Sequence, residues 1–391
     1  MPTPRRLRVL WLCSWYPSAV DAFVGDFIQR HARAVSRFVD VQVLYAVGSS
    51  VSRGTVPRSV SIVPGLSEDI CIYPTTHHVQ KVLSPFRWWI QMLRMFRQYH
   101  RTVGLPDIVH VQVPFKSGLL ARYLCFRYGI KYVVTEHYGI YNDRVSDRFA
   151  KRSLIFRGIS RLAYQGAVRS ISVSAYQLTQ LEYYFGKKPG SVVHNAVDTA
   201  LFFPGEFVER PFTFIHVSEL TENKNPTGII HAFNRLRPAF PDIRLIVVGS
   251  LIHQAALSKQ RDELSGRGIR LVGELAYAGV AEQLQHADCL VLFSYMENAP
   301  CVIGEALCSG LQVIASDVGG VPELIDPSCS ILIPAGDEEA LYQAMCAAIN
   351  RKANMDPRAI ASKAQAKFAY EVVGSQLHQA YLDVLSERTE A

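Results

Sequence analysis

Short apolar runs rich in valine and isoleucine recur along the chain, and a longer stretch of helical composition follows most of them. In the first half they fall at residues 7–14, 41–47, 70–75, 108–113, 132–136, 170–174 and 192–194. In the second they fall at 212–217, 244–249, 269–272, 289–293, 312–315 and 330–333. A strand that is apolar on both sides must be covered on both faces, and alternating helices supply that cover, so the pattern predicts parallel sheets. The alternation restarts at Phe212, after the turn-like Phe202-Phe203-Pro204-Gly205. That restart predicts an α/β chain of two doubly wound domains, residues 1–205 and 206–370, with a helical segment 371–391 returning to the first domain. Two such domains facing each other would bring the carboxyl ends of their strands to a cleft, the place where ligands bind in this architecture.

With 391 residues, each domain has enough chain to bury its own core, and 49% hydrophobic against 19% charged residues excludes a disordered or fibrous chain. Charged or polar residues interrupt every apolar run before the roughly 18 residues needed to cross a bilayer. The basic start and the apolar run from Val9 to Cys13 read as a first strand, because a cleavable leader would need a longer apolar region. Eight scattered cysteines form no CxxC pair and read as thiols in a reducing cytoplasm. Charge is divided unevenly: residues 1–200 hold 26 basic and 11 acidic side chains, residues 201–391 hold 15 and 23. The basic half predicts an acidic partner, whether anionic lipid, a phosphorylated acceptor or nucleic acid.

Residues 84–99 begin Ser-Pro and predict a helix. On it Arg87 and Arg94 share one side with Gln91 and Gln98, while Trp88, Trp89, Met92 and Phe96 cover most of the rest. Two readings stand. The helix lays its aromatics into an anionic membrane surface, or it packs against a sheet with its arginines solvated.

The stretch from Ser294 to Gly310 follows a strand and opens a helix, which places Glu297 in the loop and Glu305 inside the helix. Two acids flanking a helix N-terminus can grip separate hydroxyl groups, while the amides of Cys301 and Val302 receive a phosphate between them. A nucleotide sugar has that shape. Downstream, residues 316–325 (SDVGGVPELI) supply a glycine turn and another helix start. Here the chain strongly resembles the retaining glycosyltransferases of family 4, which have the two-domain GT-B fold.

The resemblance implies that Glu305 binds the nucleotide ribose and that Glu297 lies by the donor sugar as a catalytic residue. Asn298, Ala299 and Pro300 replace the family's usual Gly-Phe-Gly between them. Lys224 takes the family's lysine position against the donor diphosphate, whereas the companion arginine position holds Glu219. Thr135-Glu136-His137 resembles the Thr-x-His motif, whose histidine approaches the donor sugar. Trp15-Tyr16-Pro17 followed by Gly25 looks like the subgroup that lacks the usual Gly-Gly loop. Gly25 either lets backbone approach the diphosphate or acceptor, or simply makes the turn. Residues 107–112, 172–174 and 194–198 match family elements in the same order, and Gly249 and Leu275 belong to loops around the base. No metal-ligand cluster is evident, so no metal or other cofactor is expected besides the nucleotide-sugar co-substrate.

The function expected is sugar transfer with retention, from a UDP- or GDP-sugar to a lipid-linked or polysaccharide acceptor, in cell-surface glycan biosynthesis. The enzyme would be cytoplasmic and peripheral on the inner face of the cytoplasmic membrane, its basic first domain toward membrane and acceptor. A nucleotide-sugar epimerase or hydrolase would need no acceptor, and a non-catalytic nucleotide-sugar-binding scaffold would account for Glu219. Nucleic-acid binding is not expected, since it explains none of the cleft motifs.

Overall fold

The computed structural model describes residues 5–51, 59–75, 83–142, 148–206, 209–254, 257 and 259–386. The chain divides into two compact units, Met1–Asn195 with Tyr370–Ala391, and Ala196–Ala369.

The first unit is built on an eight-stranded sheet of β1 (Arg8–Cys13), β2 (Asp40–Ser49), β3 (Ser59–Val63), β4 (Leu66–Pro74), β5 (Ile108–Gln112), β6 (Tyr132–Glu136), β7 (Arg169–Ser172) and β8 (Gly190–Val192). The order across the sheet is β3-β4-β2-β1-β5-β6-β7-β8. Every pairing is parallel except β3 with β4. Strand β3 escapes the apolar-run criterion because it is a largely exposed edge strand joined to β4 by the turn at Gly65, and it needs no cover on two faces.

The helix Ser84–Thr102 covers part of this sheet, burying Trp88, Met92, Met95, Phe96 and Tyr99 in the core around Leu10, Leu12 and Val111. Trp88 is 2% exposed and Trp89 packs partly buried on the same cluster, so these aromatics serve the core and are not a lipid anchor. Arg87 is also committed, donating to the Pro74 carbonyl at 2.7 Å and lying over the Tyr73 ring, whereas Arg94 is exposed. Leu83 occupies the capping position, and the Ser84 hydroxyl is hydrogen-bonded to Tyr73.

The C-terminal helix Tyr370–Ser386 packs on the helix Asp26–Val35, where Gly374 meets the Ala34 carbonyl so closely that a Cβ would lie 2.2 Å from its oxygen. Its Tyr381 reaches the buried His110. Residues 196–205 belong to the second unit, so the division falls before the Phe202–Gly205 turn rather than after it. Val197 donates to the Phe368 carbonyl at 2.8 Å, and Phe202 is buried beside Tyr277.

The second unit holds a six-stranded parallel sheet of β9 (Thr213–Val217), β10 (Arg244–Val248), β11 (Ile269–Gly273), β12 (Cys289–Leu292), β13 (Gln312–Ser316) and β14 (Ser330–Ile333), in the order β11-β10-β9-β12-β13-β14. Alternate side chains feed two cores, with Ile215, Leu290 and Leu292 on one face and Phe214, Val291 and Phe293 on the other. In each sheet the strand order reverses once beside the first strand, between β1 and β5 and between β9 and β12. The crevice outside such a reversal is where open α/β sheets bind ligands.

Candidate active site

In the second unit the reversal point is laced by backbone. The loop after β9 passes Leu220, at φ 52°, and the turn Glu222–Lys224 to Asn225, at φ 47°, whose side chain caps the helix Pro226–Leu236. Non-glycine residues held at positive φ are strained, and they cluster where surrounding structure must fix a functional loop. The Asn223 carbonyl accepts from the Tyr295 amide at 2.8 Å, and the Asn223 side chain donates to the Met296 carbonyl at 2.9 Å. These ties lock the loop after β9 to the loop after β12.

The result is an ion pair. Lys224 Nζ lies 2.6 Å from Glu297 Oε1, which also accepts from the Ser294 hydroxyl at 2.7 Å. Glu297 is 9% exposed. The Asn298 carbonyl accepts from the Gly320 amide at 3.0 Å, which anchors the same loop to the turn after β13. The helix Cys301–Cys308 follows, with Pro300 at its cap position and no side chain capping it; Val302 is buried and Cys301 half-buried. Glu305 lies within this helix, itself buried, and its charge adds to burial in pushing the Cys308 thiol up to about 12. Glu297, Lys224, Asn298, Cys301, Val302 and Glu305 thus gather at one end of the second sheet.

Gly249 ends β10 at φ 149°, and a Cβ there would lie 1.9 Å from the Ser218 carbonyl oxygen, so only glycine fits. Leu275, in the loop after β11, packs its side chain partly buried on the core. Glu219 is exposed. His216 is buried, donating through Nδ1 to the Val291 carbonyl and accepting at Nε2 from the Ser218 hydroxyl, both at 2.8 Å. Burial, with the Lys224 charge adding to it, holds its pKa at about 4, so the imidazole is neutral. Asn223 carries no sequence signal of its own, since its role arises from loops 73 residues apart meeting at the reversal, while Ser294 and Ser218 serve Glu297 and His216 within their own segments.

In the first unit, Gly25 stands at φ 73° at the start of the helix Asp26–Val35, and a Cβ would meet Trp15 and Tyr16 backbone at 2.9 Å. The turn alone therefore demands glycine. His137 follows β6, donating from Nε2 to Gln112 Oε1 at 2.9 Å, with the His31 ring centroid 5.6 Å away. Desolvation, then the nearby His31 and His110, hold its pKa well below the ordinary value, and burial likewise lowers His31 to about 4. His31 donates to the His194 carbonyl at 3.0 Å, and its buried Nδ1 has no hydrogen-bond partner among the described residues. Val113, at φ 56°, ends β5 beside this cluster. A cavity of about 270 Å³ opens at the carboxyl ends of β2 and β4, with Ser14, Tyr45, Tyr73, Trp88 and Lys116 in its wall. Among the described residues no group of three His, Cys, Asp or Glu is placed to hold a metal ion.

Two Rossmann-like units, with a buried acid and a lysine paired at the reversal point of the second, define a GT-B glycosyltransferase. Residues 27–201 match the model described as Glycosyltransferase Family 4 and residues 197–367 the model described as Glycosyl transferases group 1. The chain is a glycosyltransferase of the GT-B fold, each half of which matches one of these models. It is 24% identical to glycogen synthase of Mycobacterium tuberculosis strain H37Rv, across 96% of this chain and 94% of that protein. It is 23% identical to a GDP-mannose-dependent monoacylated alpha-(1-6)-phosphatidylinositol monomannoside mannosyltransferase of Corynebacterium glutamicum, across 52% of this chain and 59% of that one. The structure of Anabaena HepE in complex with UDP superposes with a TM-score of 0.70 at 15% identity, covering 96% of this chain and all of that one.

Proposed function

We propose that this enzyme transfers a sugar, with retention at the anomeric carbon, from a UDP- or GDP-sugar to a lipid-linked or polysaccharide acceptor in cell-surface glycan synthesis. The observation that carries the reading is the Lys224–Glu297 pair beside Glu305 at the reversal point of the second sheet. Glu305 holds the ribose, and the amides of Cys301 and Val302 with Lys224 receive the diphosphate, helped by backbone at Asn298, Gly249 and Leu275. The bond from the anomeric carbon to the phosphate oxygen breaks with its electron pair going to the diphosphate, and the acceptor hydroxyl oxygen attacks from the same side. Its proton passes to the departing phosphate oxygen. Lys224 stabilises the negative charge that grows on the leaving group, and Glu297 orients the donor sugar and steadies the positive charge at its ring. His137, neutral in its hydrogen-bonded setting, approaches the sugar as a donor or acceptor. Gly25 allows backbone near the diphosphate or acceptor.

The relative named for GDP-mannose and the neighbour holding UDP support a pyrimidine or purine diphosphate donor without choosing between them. The Trp15-Tyr16-Pro17 segment and Gly25 support membership of the subgroup without a Gly-Gly loop. No described helix is long and apolar enough to cross a membrane, and the excess of basic residues before residue 200 favours peripheral attachment at the inner face of the cytoplasmic membrane. Calorimetric titration with UDP, GDP and their sugars, without added metal, tests the donor site. One nucleotide should bind at micromolar affinity and lose binding in Glu305→Ala; absence of binding to all of them would overturn the reading.

A further inference from the structure

The helices Pro114–Tyr128 and Leu154–Gly166 of the first unit lie side by side. Gly118 sits so close to Ala163 that a Cβ would lie 2.4 Å from its side chain, and Arg122 donates to the Leu162 carbonyl at 3.3 Å. Their inward faces are spent on the core through Leu120, Leu124 and Tyr164. Their outward faces are unusual for water. Phe126 is 91% exposed, Leu154 80% and Ile155 76%, and Tyr123 and Leu162 are exposed on the same two helices.

Neither helix contains an aspartate or glutamate, whereas together they carry Lys116, Arg122, Arg127, Arg157 and Arg161. On the second helix, Leu154, Leu162 and Ile155 form one arc, and Arg157 and Arg161 border it at a spacing of one turn. Ordinary solvated helices mix both signs of charge and hide large apolar side chains, because exposed apolar patches drive association. Bulky apolar groups on helices whose charged residues are all cations suit a surface that is apolar a few ångströms down and negative at its face, which describes anionic lipid.

We propose that this helix pair, and not the helix Ser84–Thr102, is the surface by which the enzyme docks on an anionic bilayer. Phe126, Leu154 and Ile155 enter the acyl boundary while Arg122, Arg157 and Arg161 meet phosphate headgroups. The inference deepens the proposed peripheral attachment and rests on it.

The test is cosedimentation of the full chain with vesicles of phosphatidylcholine alone and of phosphatidylcholine mixed with phosphatidylglycerol. Binding should require the anionic lipid and fall as salt rises from about 50 mM to about 500 mM. Replacing the apolar trio (Phe126→Ser, Leu154→Ser, Ile155→Ser) should weaken partitioning by about tenfold or more. The milder Arg157→Gln/Arg161→Gln variant, which leaves the helices' packing alone, should weaken it and flatten the salt dependence. Circular dichroism on each variant verifies the fold.

Unchanged binding in both variants would overturn the proposal, as would a loss produced instead by Phe86→Ser/Arg94→Gln, which replaces the two exposed residues Phe86 and Arg94 of the helix Ser84–Thr102. Lipid-free sedimentation in which the trio converts a dimer to a monomer would also overturn it, by making the face a contact between copies. Nucleotide titration on the same samples separates this inference from the catalytic reading. A protein that binds nucleotide but no vesicle refutes the docking face, and one that binds vesicles through this face but no nucleotide refutes the donor site.

Discussion

Lys224→Met removes the cation beside a buried carboxylate and leaves Glu297 with the Ser294 hydroxyl as its remaining described partner. Breaking a fully buried pair costs about 3–5 kcal/mol. The Lys224 side chain retains 20% of its exposure, against 7% for Glu297, which places the expected loss just below that range, at about 2–3 kcal/mol. Glu297→Gln should cost about 1 kcal/mol, since the amide can keep the Ser294 bond and the partly exposed ammonium can turn to water. Because the two side chains touch, the double variant costs less than the two singles together, with a coupling of about 1–2 kcal/mol. Urea unfolding followed by circular dichroism measures the cycle. All four tryptophans, Trp11, Trp15, Trp88 and Trp89, lie in the first unit, so their fluorescence does not report directly on the second. Losses that add to within about 0.5 kcal/mol would refute the pairing and with it the placement of the diphosphate-binding Lys224 beside Glu297. On the catalytic side, Lys224→Met should lower kcat by about 10²–10³ with a smaller change in donor KM, as expected when a group acts on charge formed in the transition state.

Other consequences are equally open to measurement. Gly249→Ala drives a methyl into the Ser218 carbonyl and should destabilise the second unit by about 2–3 kcal/mol; an urea midpoint equal to wild type would refute the close approach. Gly374→Ala pushes against the Ala34 carbonyl and should loosen the C-terminal helix, seen as faster amide exchange in both 26–35 and 370–386; exchange unchanged in both would contradict the packing. His31 and His216 are held at about 4 and His110 at about 3, all by burial, whereas the unfolded chain takes up these protons near pH 6.5. Stability is therefore complete above about pH 6.5 and falls as pH drops toward 4, by up to about 1.4 kcal/mol per pH unit for each histidine. A urea midpoint that stays flat from pH 7 to pH 5 would show that these imidazoles are not buried and neutral.

The sequence alone determined the strand set, because a buried parallel strand must be apolar on both faces and little else in a globular chain is so written. Among the described residues only β3 fell outside it, an exposed edge strand with no such demand on its composition. The position of Glu297 in the loop after β12 and of Glu305 inside the helix that follows was legible from strand-then-helix order, whereas Lys224, His137 and Gly25 were singled out by resemblance to family 4 motifs. Tertiary structure decided what depends on a second surface. The apolar arc of residues 84–102 is equally compatible with lipid and with a sheet, and packing on Leu10 and Val111 chose the sheet for Trp88. The exposed trio Phe126, Leu154 and Ile155 reads in sequence as ordinary core material, since hydrophobicity records that a side chain avoids water and not what it meets instead. Likewise the short contact between Lys224 and Glu297 belongs to neither loop. It arises because β9 and β12, distant in the chain, are neighbours in the sheet, and strand order is a property of the folded chain.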